Sequence, residues 1–494
     1  ISYTIARYRH FQIIGSLGGL LHSSVSPWRM NGGTQVMLGD YQNNSNVQYL
    51  EQIAPVQLPS EVDYDVIRRG LWESSDMMYK YSLGMMAQKT NYLQQNPLPA
   101  DEAGLADMQP LPAVTHLEER EMPFVIDSVA FDQLVMELSA VFKDYKDIYN
   151  SSVMLNGLEM DIYRLTTEGV QLKKPGGAIS LAVSGSVRCD DGSSLSDSFS
   201  LSLQNPAELP SIEQLKERAK AFAEGLLRLK STPVVTEYYN GPVMFEGGAV
   251  ATILANNLLN RGGLIATRSL GPTRGGLADQ FGQRIIDSRL TVKNYTAKKE
   301  YNGTPLYGYY EVDGEGVTPE AEMTLVDKGV FGKMLNGRIP TKNALETTGS
   351  SRFMMIPQSP TVATGTGTIH VQVDKGISHE KMKKALIKAA KEAGQSCAYI
   401  VRGISGATLE VYRVDLKDGR ETRVRATSFR LPDLTKLLKL VAISSKEEVL
   451  NYLPNNYPAS MIYPAGVIVD GLVIEKATVK AEKEPVLTLP QQRK

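Results

Sequence analysis

Hydrophobic and polar positions alternate loosely over the first forty residues, with glycine as punctuation, which predicts strands joined by tight turns. The expected strands are Ile1–Tyr8, Phe11–Ser24 and Gly33–Tyr41. The period then lengthens. Ile67, Leu71, Met78, Tyr81, Met85 and Tyr92 recur at three-, four- and seven-residue steps, predicting one long helix with an apolar stripe. Pro97, Pro99, Pro110 and Pro112 mark an extended loop after it. A second helix is expected from Ser128 to about Tyr145, with Ser128 as its N-cap. Strands follow at Val153–Gly157, Leu158–Thr166 and Gly169–Lys173, and a hairpin joins Ile179–Arg188 to Ser196–Leu203 across the turn Asp190–Gly192. A third helix, Ser211–Lys230, gathers Ile212, Leu215, Ala219, Phe222, Ala223 and Leu226 on one face.

Past Thr232–Pro233 the texture changes. Glycine becomes frequent and strand-like pieces dominate: Val243–Phe245, Ile285–Val292, Tyr307–Val312, Glu322–Val326, Thr368–Val373, Leu409–Val414 and Arg423–Ser428. Helices are expected only near Gly248–Leu259, Ser378–Ala393 and Asp433–Val441. The fold class is α+β. It comprises an N-terminal mixed α/β domain with long helices, residues 1–231, and a β-rich domain with mostly antiparallel sheet, residues 232–494.

Composition narrows the function without naming it. The 494 residues carry 53 Lys and Arg against 54 Asp and Glu, so net charge provides no pull toward nucleic acid or an anionic membrane. Cys189 and Cys397 are too few for a disulfide framework or a thiolate zinc cluster. No apolar run approaches the ~18–20 residues of a membrane span. The chain opens at Ile1 rather than Met, so an upstream piece that could hold a signal peptide is expected to be missing.

The local chemistry is sparse. His10, His22, His116, His370 and His379 are the only histidines, and no two stand at a helical metal-binding spacing. His379-Glu380 begins like HExxH but continues to Lys383 where histidine is required, so His379 reads as a solvated residue opening a basic helix. His10, His22 and His370 fall in strands, where a hydrogen-bonded structural role is the default. Thr364-Gly365-Thr366-Gly367-Thr368 lacks the spacing and following helix of a phosphate loop. Neither cysteine has a histidine beside it, and Asp190 and Asp191 directly follow Cys189, which disfavours a reactive thiolate.

One stretch says more. Tyr239-Asn240-Gly241-Pro242-Val243-Met244-Phe245-Glu246-Gly247-Gly248-Ala249 runs from a strand into an apolar helix. It resembles the segment before the catalytic helix of the TldD/PmbA family, metallopeptidases once described as modulators of DNA gyrase. Ser16–Leu21, Leu38–Tyr41, Arg68–Trp72, Tyr309–Val317 and Leu325–Val330 match in the same order along most of the chain. In catalytic members the helix carries HExxxH: two histidines hold zinc and the glutamate is general base for water attack on a peptide carbonyl.

Counting from Pro242, that hexapeptide falls on Ala255-Asn256-Asn257-Leu258-Leu259-Asn260. The ligand positions are Ala255 and Asn260, and the base position is Asn256. Alanine has no donor, and a carboxamide does not take a proton as a carboxylate does. No shift of the count restores histidine, since none lies between His116 and His370. The family's further zinc-binding cysteine is also missing from the matching region Tyr452–Ser460.

The resemblance is therefore to the PmbA (TldE) type of subunit. It implies no catalytic residue and no metal in this chain, although catalytic relatives use zinc. It implies a homodimer, or a heterodimer with an HExxxH-containing TldD-like chain, and an unfolded peptide substrate. Direct nucleic-acid or membrane partners are not expected, and family habit places the protein in the cytoplasm, with export as the alternative. Asn256 and Asn260 either cap the helix end or line a vestigial cleft. Glu246 is expected in the turn entering the helix, where a carboxylate favours the helix dipole. Arg261, Arg268, Arg274 and Asp279 lie in a glycine-rich segment that either borders a substrate channel or forms a solvated loop. Two alternatives stay open: an active enzyme whose metal is held by distant residues such as His22, His370 and carboxylates, and a homodimeric peptide-binding scaffold.

Overall fold

A computed structural model describes residues 1–42, 54–59, 61–260, 263–268, 277–405, 408–425, 429–454 and 457–475. In the first half, β1 (Ser2–Ser16) turns through Leu17–Gly18 into β2 (Gly19–Val25), followed by β3 (Arg29–Gln35) and β4 (Ala54–Leu58). Then come α1 (Tyr64–Gln95), the single turn α2 (Ala100–Ala103), β5 (Val114–Leu117) and α3 (Ser128–Ala140). The long strands β6 (Ile148–Thr166) and β7 (Val170–Arg188), β8 (Ser194–Leu203) and α4 (Ile212–Arg228) complete it. The strands form one sheet ordered β4-β3-β1-β6-β7-β5, with β2 beside β1 and β8 beside β7. Only β5 and β7 pair in parallel among its described strands.

One face of this sheet is covered by α3 and α4. Phe11, Ile13, Leu155, Ile179, Leu181 and Val183 from the strands meet Phe131, Val135, Leu138, Leu215, Ala219, Ala223 and Leu226 from the helices. The α4 stripe is the one its sequence predicts. Its N-terminus is closed by a capping box in which Ser211 Oγ accepts from Gln214 N and Gln214 Oε1 accepts from Ser211 N.

Three expectations change here. The strands anticipated on either side of Gly157 are one continuous strand, because this glycine serves packing rather than a turn. It sits opposite Phe11, and a Cβ there would lie 2.0 Å from the Phe11 ring. The N-cap of α3 is Asp127, whose carboxylate accepts from Ala130 N at 3.0 Å, and the α-helix ends at Ala140 before a 3₁₀ turn, Val141–Asp144. Helix α1 exists, but of its predicted stripe only Met78 is buried. The buried face is Ser74, Ser75, Met78, Ser82 and Lys89. Small serines let α1 approach the sheet edge and bond to it: Ser82 Oγ donates to Val36 O at 2.8 Å, and Ser75 Oγ stands 2.8 Å from Tyr3 OH.

In the second half, β9 (Tyr239–Glu246) leads into α5 (Gly248–Leu258), then β10 (Leu290–Tyr295). Short pieces follow: β11 (Glu300–Tyr301), β12 (Thr304–Pro305), β13 (Glu322–Asp327), β14 (Val330–Phe331), β15 (Ser351–Met354) and β16 (Thr361–Thr364). Next are β17 (Thr368–Val373), α6 (His379–Glu392), β18 (Cys397–Ser405), β19 (Thr408–Asp415), β20 (Glu421–Val424) and α7 (Leu434–Leu437). The half closes on β21 (Ala442–Ile443), β22 (Glu447–Tyr452), β23 (Ala459–Pro464) and β24 (Gly466–Ile474).

Two six-stranded sheets result, β14-β13-β10-β17-β23-β22 and β20-β19-β18-β9-β24-β21. They share an apolar core with α5: Val292, Ile369 and Met461 come from the first sheet, Phe245, Val401 and Val469 from the second, and Val250, Ile253 and Leu254 from the helix. Helix α6 covers the other face of the second sheet through Met382, Leu386 and Ala390.

The strand expected at Tyr307–Val312 is irregular instead. The N–H groups of Tyr307 and Gly308 are taken by Ser460 Oγ, and Gly308 lies so close to Gly367 and Thr368 that a Cβ would meet them at 2.4 Å. Likewise the strand expected from Ile285 begins only at Leu290, because Asp287 bends the chain by accepting from Arg289 N and Leu440 N. Residues 36–41 extend no strand beyond Gln35, and residues 426–428 of another expected strand lie outside the described residues. Among the described residues no helix is long and apolar enough to cross a membrane.

Substituting Gly157→Ala should cost on the order of 1–3 kcal/mol by overpacking against Phe11. Chemical denaturation checks this, and adding Phe11→Leu should recover part of the loss.

Candidate functional site

The chain enters α5 through Gly247, whose φ of 56° and ψ of −136° suit glycine alone. Just before it, Glu246 is engaged by side chains of other elements. Its Oε2 accepts from Arg402 Nε at 2.8 Å, and its Oε1 stands 3.6 Å from His379 Nε2. Arg402 also pairs with Glu421 at 2.8 Å and lies over the Tyr412 ring. Burial works against the Arg402 charge, but the two carboxylates raise its affinity for the proton. Glu246 thus stands in the turn entering α5, as expected, and is also an ion-pair anchor. His379, expected in solvent, is half-buried against it.

On α5 itself, Ala255 packs half-buried against the core while Asn256 and Asn260 are exposed. The helix stops at Leu258, one residue short of expectation, so Asn260 lies just past its end. There Asn260 Nδ2 donates to Asn256 Oδ1 at 3.1 Å, and Asn257 Nδ2 donates to Ile253 O and Pro432 O. The exposed carboxamides therefore bond to each other. An alanine methyl and two mutually bonded carboxamides do not fit zinc.

Of the glycine-rich segment, Arg268 turns inward and donates to Ala106 O at 2.6 Å and Pro340 O at 3.4 Å. Asp279 is exposed in the 3₁₀ turn Leu277–Gln280. Arg261 and Arg274 lie outside the described residues.

The distant ligands do not converge either. His22 is exposed on β2 and bonds Ser24, whereas His370 is buried on β17 and bonds Glu447 Oε1 at 2.9 Å. Among the described residues no group of three or more His, Cys, Asp and Glu side chains could hold a metal ion. The region where catalytic relatives place cysteine holds Tyr452, packed on the core, and Ser460, whose hydroxyl donates to Asn451 Oδ1. The Thr364–Thr368 stretch spends its backbone donors internally, on Tyr457 OH and Asn294 Oδ1.

A cleft of about 390 Å³ opens elsewhere, where the β5–β7 edge of the first half meets the irregular segment 307–314 of the second. Tyr307 OH donates to Glu208 Oε2 across it at 2.5 Å. Arg352 lies 4.0 Å over the Tyr310 ring, fixed by bonds to Thr366 O and Pro458 O. At its floor, burial and the neighbouring Glu315 push the Asp313 carboxyl up to about 7, against the N–H groups of Glu315, Val317 and Ser351 that it accepts. These side chains come from separate segments, and no local motif marks them as one site.

Elsewhere the two halves are also joined by Arg338 and Glu168. The guanidinium donates to both carboxylate oxygens, at 2.8 and 2.7 Å, and also to Gln109 O. Burial works against the Glu168 charge, yet bonds from Arg338 and Tyr41 hold its carboxyl below the usual range.

Three solved structures share this arrangement. TldE from Thermococcus kodakarensis matches with a TM-score of 0.58 at 13% identity, covering 96% of each chain. A proposed modulator of DNA gyrase from Thermotoga maritima matches with a TM-score of 0.57 at 13% identity, over 96% of this chain and 95% of that one. Another from Bacteroides thetaiotaomicron matches with a TM-score of 0.56 at 13% identity, over 96% and 94%. The chain has the TldD/PmbA fold. No protein-family model and no curated protein matches the sequence. Helix α5 of this chain carries no His, Cys, Asp or Glu side chain.

The Arg338–Glu168 link yields a pH-dependent expectation. Because the Glu168 pKa is depressed by folding, its contribution is present above its ordinary value of 4.5 and is lost as pH falls through the folded value. Glu168→Gln should cost on the order of 3 kcal/mol at pH 7 by leaving Arg338 buried without its carboxylate. The difference from wild type should shrink below pH 4.5, as read by denaturation at several pH values.

Proposed function

We propose that this chain is a metal-free, non-catalytic subunit of a TldD/PmbA-type proteolytic assembly that handles unfolded peptide. The observation that carries the reading is the chemistry of α5. Zinc-assisted hydrolysis needs ligands that bind the metal and a base that accepts the proton of the attacking water. Ala255, Asn256 and Asn260 provide neither at the corresponding positions. In this reading a partner chain bearing HExxxH provides both, and catalysis occurs there.

The contribution of this chain is to hold substrate. The cleft offers tyrosine rings at Tyr307 and Tyr309, the Arg352 guanidinium and exposed carboxylates such as Glu119, a mixture suited to unfolded chain of varied sequence. The name of the gyrase-modulator neighbours does not require contact with DNA, since the balanced charge of this chain provides no general attraction to phosphate.

Fluorescence anisotropy with a labelled unfolded peptide tests the reading. The chain alone should bind the peptide and leave it intact, and Tyr307→Ala should weaken binding about tenfold, equivalent to ~1.4 kcal/mol. Cleavage should appear only when the HExxxH-bearing chain is added. Cleavage by this chain alone, abolished by chelator, would contradict the proposal, as would absence of binding.

A further inference from the structure

Arg352 is only 6% exposed, yet among the described residues no carboxylate stands within ion-pairing distance of it. Lys89 and Arg338, buried as deeply, have Asp107 and Glu168. A guanidinium does not shed its proton, so burying one without an anion is costly unless every N–H finds an acceptor. Arg352 has acceptors for part of its fork. Its two terminal nitrogens donate to Thr366 O and Pro458 O at 3.0 Å each, using two of five N–H groups. Its Cζ lies 4.0 Å from the centre of the Tyr310 ring and 5.5 Å from that of Tyr457, so two aromatic faces also stabilise the charge.

The buried carboxylates of the neighbouring segment are engaged elsewhere. Asp313 accepts from the N–H groups of Glu315, Val317 and Ser351, and Glu315 accepts from Ser351 Oγ at 2.7 Å. The Thr364–Thr368 stretch, which is no phosphate loop, builds the seat for the guanidinium. At Gly365 a Cβ would lie 2.5 Å from the Tyr457 ring and 2.9 Å from Arg352 Cγ, and the next residue presents its carbonyl to Arg352.

The seat opens on the cleft, which Arg352, Tyr310 and Pro458 all line. The rim carries the opposite charge: Glu118, Glu119 and Glu121 belong to the same lining. Such a rim repels a polyphosphate or a nucleic acid, whereas a single carboxylate on an otherwise neutral or basic chain satisfies both the rim and the buried cation.

We infer that the cleft takes one carboxylate of a bound peptide at Arg352, as a paired guanidinium–carboxylate contact. The inference rests on the peptide-holding reading and names the group by which the peptide is anchored. A chain terminus and an Asp or Glu side chain both offer that group, and the test separates the two.

Fluorescence anisotropy would use an N-terminally labelled peptide of Ala, Gly, Lys and Tyr residues in three forms: with a free C-terminal carboxylate, with a C-terminal amide, and amidated with one central Glu. The plain amide should bind about tenfold more weakly than at least one carboxylate form, as expected for loss of a charged hydrogen-bonded pair. A gain with the free terminus identifies the chain end as the source, and a gain with the central Glu identifies the side chain. Arg352→Gln should erase the difference between the forms, and Arg352→Lys should keep part of it. Equal binding of all three forms by the wild type would overturn the inference and leave the peptide-holding reading standing, whereas binding of none would remove both. An undiminished preference for the carboxylate in Arg352→Gln, with wild-type circular dichroism, would also overturn it. If that variant does not fold, the comparison of the three forms on the wild type decides.

Discussion

The packing of the first half's sheet against the segments around Val312–Val317 and Phe353–Met355 of the second is the constraint on which the rest of the structure depends. The largest apolar core of the first half runs from Phe11 to Leu229 and that of the second from Val235 to Ile474, so each half also has a core of its own. Between them two apolar clusters cross, Ala6, Tyr8, Met160 and Ile162 with Met355, and Leu111, Val170 and Leu172 with Val312 and Val317, and polar links join them: Arg338 to Glu168, Tyr307 to Glu208, Arg425 to Asp191 and Arg268 to the Ala106 carbonyl. Hydrogen-bonded charge pairs fix orientation more sharply than apolar area does, because they fail when displaced by an ångström or two. The cleft lies where the halves meet, lined by Ile162, Val312, Phe353 and Met355 as well as by the Tyr307–Glu208 pair.

Helix α5 is held by packing rather than by the polar residues at its end. Ala249, Val250, Ala251, Ile253, Leu254 and Leu258 are all buried in the core shared by the two sheets of the second half. Removing the helix would open a cavity that costs several kcal/mol per large side chain. Asn256 and Asn260 face solvent, where replacement costs little. Packing therefore fixes the helix whatever side chains stand at its exposed positions.

The sequence made much of the architecture legible where periodicity was strong. Helices α4, α5 and α6 and strand β17 follow directly from it, since a single buried face leaves a regular pattern. The pattern of α1 misled, because serines and Lys89 occupy its buried face and its large apolar residues point outward. Asp127 and Gly157 were read wrongly because capping and close ring contact depend on neighbours the local pattern does not contain. The family resemblance placed the α5 positions by register, counting from Pro242. The cleft was not legible: Glu208, Tyr307, Asp313 and Arg352 converge only through tertiary structure, and the Glu246–Arg402–His379 cluster likewise joins a strand end, a second strand and a helix start.

The central claim is that the α5 positions provide no metal site, and zinc stoichiometry tests it most directly. Tag-free protein prepared without chelator, equilibrated with zinc and then dialysed, should retain well under a tenth of an equivalent per chain, the metal being quantified by mass spectrometry. Retention near one equivalent, lost on substitution of histidine or carboxylate side chains, would contradict the account and return the chain to the catalytic class.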